Sequence, residues 1–146
     1  MFKNEICATR AGFLRKKEPL TFYVDGFQSR YVPVRGDCVV GVVVAKASNY
    51  YRVNIGSSEP ATLSFLAFEG ATKKNRPDVK IGDLIYARLI VANRDLEPEL
   101  VCVDSHGKKG LLGVLKGGFL FKTSINHVRK LLREDCLLLQ ALSKEP

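Results

Sequence analysis

Apolar and polar positions change rhythm along the chain, and the central third carries the clearest pattern. Between Tyr31 and Asp104 the apolar residues fall into five short runs: Cys38–Val44, Tyr50–Ile55, Ala61–Phe65, Leu84–Val91 and Leu100–Val103. All are rich in β-branched or aromatic residues, which lose χ1 freedom in a helix and suit a pleated, half-buried surface. Gly36-Asp37 and Gly82-Asp83 each open a run, and Gly, Pro, Asn and Ser separate the others. Five short strands this close together must hide their edges, and closing the sheet on itself does so. The pattern predicts a mainly β fold centred on a five-stranded OB barrel.

The flanks read differently. Ile6–Thr9 and Leu20–Val24 enclose Arg15-Lys16-Lys17-Glu18-Pro19, with Asp25-Gly26 behind them, which predicts an N-terminal β-hairpin with a basic turn over residues 1–30. A two-stranded hairpin is too small to stand alone. After the barrel, Gly107-Lys108-Lys109-Gly110 reads as a flexible basic linker and Phe119–Lys122 as a short strand. Ser124 is the expected N-cap of a helix to about Arg133, whose Ile125, Val128, Leu131 and Leu132 share an apolar face. Cys136–Leu142 reads as a further strand. Residues 111–146 thus form an α+β segment about half the size of a small domain.

Charge narrows the function. Lys and Arg number 23 against 15 Asp and Glu, a formal +8, which favours a polyanionic partner through counterion release. No apolar run approaches the roughly 20 residues that span a bilayer, and the N-terminus lacks the apolar block of a secretory signal. A soluble, intracellular protein with no membrane partner is expected. Cys7, Cys38, Cys102 and Cys136 lie too far apart for a zinc knuckle, and His106 and His127 have no ligand partner at metal-binding spacing. No cofactor, metal or catalytic residue is expected. A nuclease would need clustered carboxylates, whereas Asp37 and Asp83 sit in Gly-Asp turns and Glu97 and Glu99 flank Pro98. No Ser/His/Asp or Cys/His set and no phosphate-binding glycine loop is present.

Several long phrases carry a more specific resemblance. Tyr31-Val32-Pro33-Val34-Arg35-Gly36-Asp37, Ser58-Glu59-Pro60-Ala61, Leu66 to Pro77, Val79 to Leu84 and Glu97 to Cys102 resemble the ribosomal RNA-processing protein 40 family, also called exosome component 3, the cap subunits of the eukaryotic RNA exosome. The likeness extends through Lys116 to Cys136 and more loosely back to Glu5. It implies an N-terminal β domain, an S1-type OB domain over residues 31–106 and a KH domain of which residues 111–146 hold only part. It also implies a non-catalytic nuclear, nucleolar and cytoplasmic protein. Such a subunit binds RNA, RNase PH-like ring subunits and other cap subunits, and guides RNA through the pore to a separate nuclease. The barrel alone also permits a stand-alone single-strand RNA-binding protein of ribosomal or translation-factor type.

The candidate RNA-binding residues are Lys46, Asn49, Tyr50, Tyr51, Arg52, Lys73, Lys74, Arg76 and Arg88. Lys73, Lys74 and Arg76 stand in the connection before Pro77, either as a solvated loop or as a phosphate-contacting one. S1 barrels offer aromatics on which bases stack, but aligned on Gly41 and Gly56 those positions fall on Asn49 and Arg52, and a usual histidine falls on Ser64. Tyr50 and Tyr51 are neighbours, so in a strand only one faces outward. With stacking worth roughly 1–3 kcal/mol per base, its loss leaves weak binding dominated by phosphate contacts.

Overall fold

The computed structural model describes residues 7, 9–26, 30–93 and 95–144. The chain divides into two compact units, one the barrel, Arg30–Phe121, the other holding the N-terminal hairpin and two short C-terminal helices. In the hairpin, β1 (Phe13–Lys17) pairs antiparallel with β2 (Thr21–Asp25). A hairpin was expected, but its first strand is not Ile6–Thr9: Cys7 and Thr9 lie outside any strand, and Ile6 and Ala8 fall outside the described residues. Arg15, Lys16 and Lys17 therefore sit in a strand rather than a turn, and Glu18–Leu20 make the turn. The pairing register runs from Phe13 opposite Asp25 to Lys17 opposite Thr21. Leu14, Phe22 and Val24 share one face, while on the other Arg15 Nε reaches Asp25 Oδ2 at 2.7 Å.

The barrel is built from β3 (Cys38–Lys46), β4 (Tyr50–Asn54), β5 (Ala61–Phe68), β6 (Leu84–Val91) and β7 (Glu99–Cys102). β3 pairs with β4, β4 with β5, β5 in parallel with β7, β7 with β6, and β6 with β3, which closes the ring. All five expected strands are present, in the mixed order of an OB barrel. A short strand not foreseen, β8 (Gly113–Leu115), joins the β6 edge opposite Leu84–Tyr86.

Alternation fills the interior. Val43, Tyr51, Val53, Leu63, Ile85, Leu89 and Cys102 point inward and are buried, with no polar side chain among the buried residues described. The two Gly-Asp dipeptides play matching parts in this closure. Gly36 N donates to Leu89 O and Leu89 N to Asp37 O, both at 2.8 Å. Gly82 N donates to Val43 O at 2.8 Å and Val43 N to Asp83 O at 3.0 Å. Each dipeptide thus extends the β3–β6 ladder beyond the start of its own strand, and Gly36 and Gly82 adopt φ of 95° and 96°, which a side chain would strain.

Gly41 has a different role. A Cβ there would collide with Val53 Cγ1 and come within 3.0 Å of Ile55 Cγ2 and 3.2 Å of the Asn54 carbonyl. Gly41→Ala is expected to destabilise the barrel by about 1–3 kcal/mol, read from the midpoint of a urea titration. A midpoint equal to that of the unsubstituted chain would show that β4 yields without cost.

Tyr31, just before β3, donates from its hydroxyl to Asp37 Oδ2 at 2.6 Å. Burial first, and then that bond, push its phenol up from 10.0 to about 12. The fold keeps the neutral phenol, so its contribution is complete below pH 10 and is lost as pH rises toward 12. Tyr31→Phe is expected to flatten the stability profile across that window. A profile that keeps its full slope would assign the alkaline loss to another group.

Past the barrel, Gly107–Gly110 is a tied loop rather than a flexible linker. Asp104 Oδ1 accepts from the backbone N of His106 at 2.8 Å and of Lys108 at 2.9 Å, and Lys109 N donates to Glu69 Oε2 at 2.9 Å. Phe119–Lys122 forms no strand, because Gly117 and Gly118 turn the chain with positive φ and β8 already occupies the neighbouring β6 edge. Ser124 caps α1 (Ile125–Leu131) as expected, its Oγ accepting from His127 N at 3.4 Å. The expected apolar face of α1 is not buried: Ile125 and Leu131 are half-buried and Val128 is exposed, as is Leu132, which caps the helix. Cys136–Leu142 is not a strand but mostly α2 (Leu137–Leu142). Leu, Gln and Ala are strong helix formers, and an apolar run this short does not distinguish the two states by pattern. Among the described residues no helix is long and apolar enough to cross a membrane.

Candidate nucleic-acid interface

β4 sorts its tyrosines by alternation. Tyr51 is 0% exposed, its ring centroid 4.4 Å from that of Phe65, and its hydroxyl donates to Pro77 O at 3.0 Å. Burial first, and then the negative charge of Asp78, raise its phenol above the usual range. Tyr51 therefore has no face to offer a base, which corrects its place among the candidates. Tyr50 points outward and is 37% exposed. It provides the one stacking surface that the Tyr50-Tyr51 pair allows.

Around Phe65, at the far end of β3, cations gather. The β3–β4 turn is held by Ala47 N donating to Tyr50 O at 2.9 Å and by Phe65 N donating to Asn49 O at 3.1 Å. Asn49 is exposed at its tip. A β-bulge between Val43 and Ala45 brings Lys46 opposite Tyr51. Lys46 Nζ then lies 5.6 Å from the Tyr51 ring centroid and 5.8 Å from that of Phe65. Arg76 approaches the same ring from the β5–β6 connection, its Cζ 5.4 Å from the Phe65 centroid. Its Nη1 donates to Ser48 O at 3.3 Å and its Nε to Lys73 O at 3.4 Å, so the guanidinium joins the two loops. The connection is itself folded, with Thr72 N donating to Asn75 O at 3.0 Å and Asn75 N to Thr72 Oγ1 at 2.9 Å. Lys73 and Lys74 stand exposed on it.

The structure thus brings Lys46, Asn49, Lys73, Lys74 and Arg76 to one end of the barrel. Arg52 and Arg88 are placed elsewhere. Arg52 Nη2 bonds Glu97 Oε1 at 3.0 Å, and that carboxylate, then Tyr50, hold its guanidinium more firmly charged than usual. Its charge is thereby matched. Arg88 lies on β6 opposite Cys38, at the start of β3, about 26 Å along the strand from Lys46. Ser64, at the position of the usual histidine, is exposed and accepts from Leu66 N at 3.2 Å.

Phe65 and the Ser48 carbonyl were missing from the sequence-based set. Phe65 reads as ordinary core in an apolar run, and no side-chain pattern marks a backbone carbonyl. Chemically, the barrel end offers fixed cations over buried rings, which suits phosphate contact more than base stacking. Among the described residues no group of three or more His, Cys, Asp or Glu comes together as a metal site.

Comparison with known proteins bears on the family and the fold of the barrel. Residues 31–113 match the family model described as exosome complex component RRP40, S1 domain. The chain is 59% identical to the Drosophila melanogaster exosome complex component RRP40 over 97% of its length, covering 61% of that protein. It is 49% identical to the Homo sapiens protein of that name, covering 97% of this chain and 54% of the relative. Against the Saccharomyces cerevisiae protein, identity is 39% over 84% of this chain and 52% of the relative. Among solved structures, a "putative exosome complex RNA-binding protein" superimposes with a TM-score of 0.63 at 28% identity, over 78% of this chain and 66% of that one. The chain spans roughly half to three-fifths of the length of these curated relatives. With the matched segment covering the whole barrel from Tyr31 to Gly113, this chain belongs to the exosome complex component RRP40 family, through its S1 domain.

Proposed function

We propose that this chain is a non-catalytic RNA-binding cap component of the RNA exosome, contributing to 3′-to-5′ RNA processing and degradation. It stabilises the ring of RNase PH-like subunits, contacts other cap subunits and guides RNA to the pore, in the nucleus, nucleolus and cytoplasm. One observation carries the RNA part of this reading: Lys46 and Arg76 both lie over Phe65 at the barrel end, beside Asn49 and the exposed Lys73 and Lys74. Cations held there meet a phosphate backbone without choosing among bases. The family membership and the names of the relatives support the exosome part. Residues 111–146, with α1 and α2, are read as part of a KH-like domain.

Binding without cleavage is the expected behaviour. A fluorescent single-stranded RNA mixed with the purified chain should be retained in a filter assay and recovered intact, with magnesium or with chelator. Cleavage that copurifies with the chain and stops on chelation would contradict the non-catalytic reading.

A further inference from the structure

At the start of β3, away from the Lys46–Arg76 end, an open groove of about 360 Å3 runs between Arg35, Gly36, Arg88, Ile90, Val101 and Val103. Its two arginines are set by backbone bonds. Gly36 N donates to Leu89 O at 2.8 Å, fixing the Arg35 loop against β6, and Arg88 faces outward between Cys38 on β3 and Val101 on β7. Unlike Arg15 and Arg52, which are matched by Asp25 and Glu97, neither guanidinium makes a hydrogen bond or close ion pair among the described residues, and Arg88 is met only at longer range by the Asp104 carboxylate. Two such forks on one groove match the planar, multidentate demand of a phosphate.

Asp104 also lines the groove. Its carboxylate is engaged first by the backbone N–H groups of Lys108 and His106, which hold it below the usual range and tie it to its own turn, and the Arg88 charge adds a smaller part. The floor of Ile90, Val101 and Val103 is apolar, suited to a sugar or base edge rather than to a second charge. An acidic peptide would leave that floor unused.

We propose that the Arg35–Arg88 groove is a second backbone-phosphate site for single-stranded RNA, a proposal that rests on the RNA-binding reading above. β3 separates it from the Lys46 end by about 26 Å, so a strand must be long enough to engage both. Fluorescein-labelled oligouridylates of about 4 and about 16 nucleotides provide the test, spanning the range of OB-fold site sizes. Salt titrations would compare the unsubstituted chain with Arg35→Gln/Arg88→Gln, each checked for an unchanged thermal midpoint.

On the long oligomer the slope of log K against log salt is expected to fall by about 1.4, or about 0.7 per phosphate lost, while the short one is unaffected. Arg35→Lys/Arg88→Lys should restore most of it. Should the double variant melt early, Arg35→Gln alone, on an exposed loop, should remove about 0.7. An unaltered slope on the long oligomer, with the unsubstituted chain binding normally, overturns this proposal and leaves the reading it rests on intact. No binding of either oligomer by the unsubstituted chain overturns that reading and this site with it. Loss of oligoglutamate binding in the double variant, with RNA binding unaltered, assigns the groove to an acidic peptide and overturns the RNA site.

Discussion

Tyr51→Ala is expected to remove about 3–5 kcal/mol from the stability of the barrel, a large part of the 5–15 kcal/mol that holds an ordinary domain together. The ring is fully buried, stacked at a tilt on Phe65 and edge-on to Phe68, and alanine would leave a cavity between β4 and β5. Tyr51→Phe keeps the ring and gives up only the bond to Pro77 O, for about 1 kcal/mol. Tyr50→Ala, one residue away, should change stability by no more than about 0.5 kcal/mol, because Tyr50 faces solvent. Urea titrations of the three variants read all of this directly. Equal losses at Tyr50 and Tyr51 would contradict the inward and outward assignment.

The second large effect is electrostatic. Lys46→Gln, Lys73→Gln, Lys74→Gln and Arg76→Gln combined are expected to lower the salt slope of single-stranded RNA binding by about 2.8, at about 0.7 per phosphate contact. Arg52→Gln should leave the slope unaltered, since Glu97 already matches that charge. Fluorescence anisotropy between about 50 and 200 mM salt measures both. An unaltered slope in the quadruple variant would move the RNA path away from this end of the barrel.

The barrel was legible because its strands are half-buried and alternate, so the inside and outside of Val43, Val53, Leu63 and Ile85 are written in the period-2 pattern. The hairpin was legible as a hairpin but not in position. Its strand β1 carries Arg15, Lys16 and Lys17 with both faces exposed, so no apolar alternation marked it. The leucine run of α2 misled for the opposite reason, since six apolar-rich residues satisfy helix and strand equally. Lys46, Asn49, Lys73, Lys74 and Arg76 come to one end of the barrel because turns and loops at one end of a small barrel converge. What sequence did not convey was pairing across distance. Glu97 matches Arg52 from 45 positions away, Arg35 joins Arg88 on a separate groove, and Phe65 draws two cations from different loops.

The proposed role makes this chain part of an exosome cap and not a free RNA-binding module. Size-exclusion chromatography with native mass spectrometry of the chain mixed with RNase PH-like ring subunits tests it most directly. Co-elution at a fixed stoichiometry that persists after RNase treatment is the expected result. A chain that stays apart from the ring while still binding single-stranded RNA would contradict it.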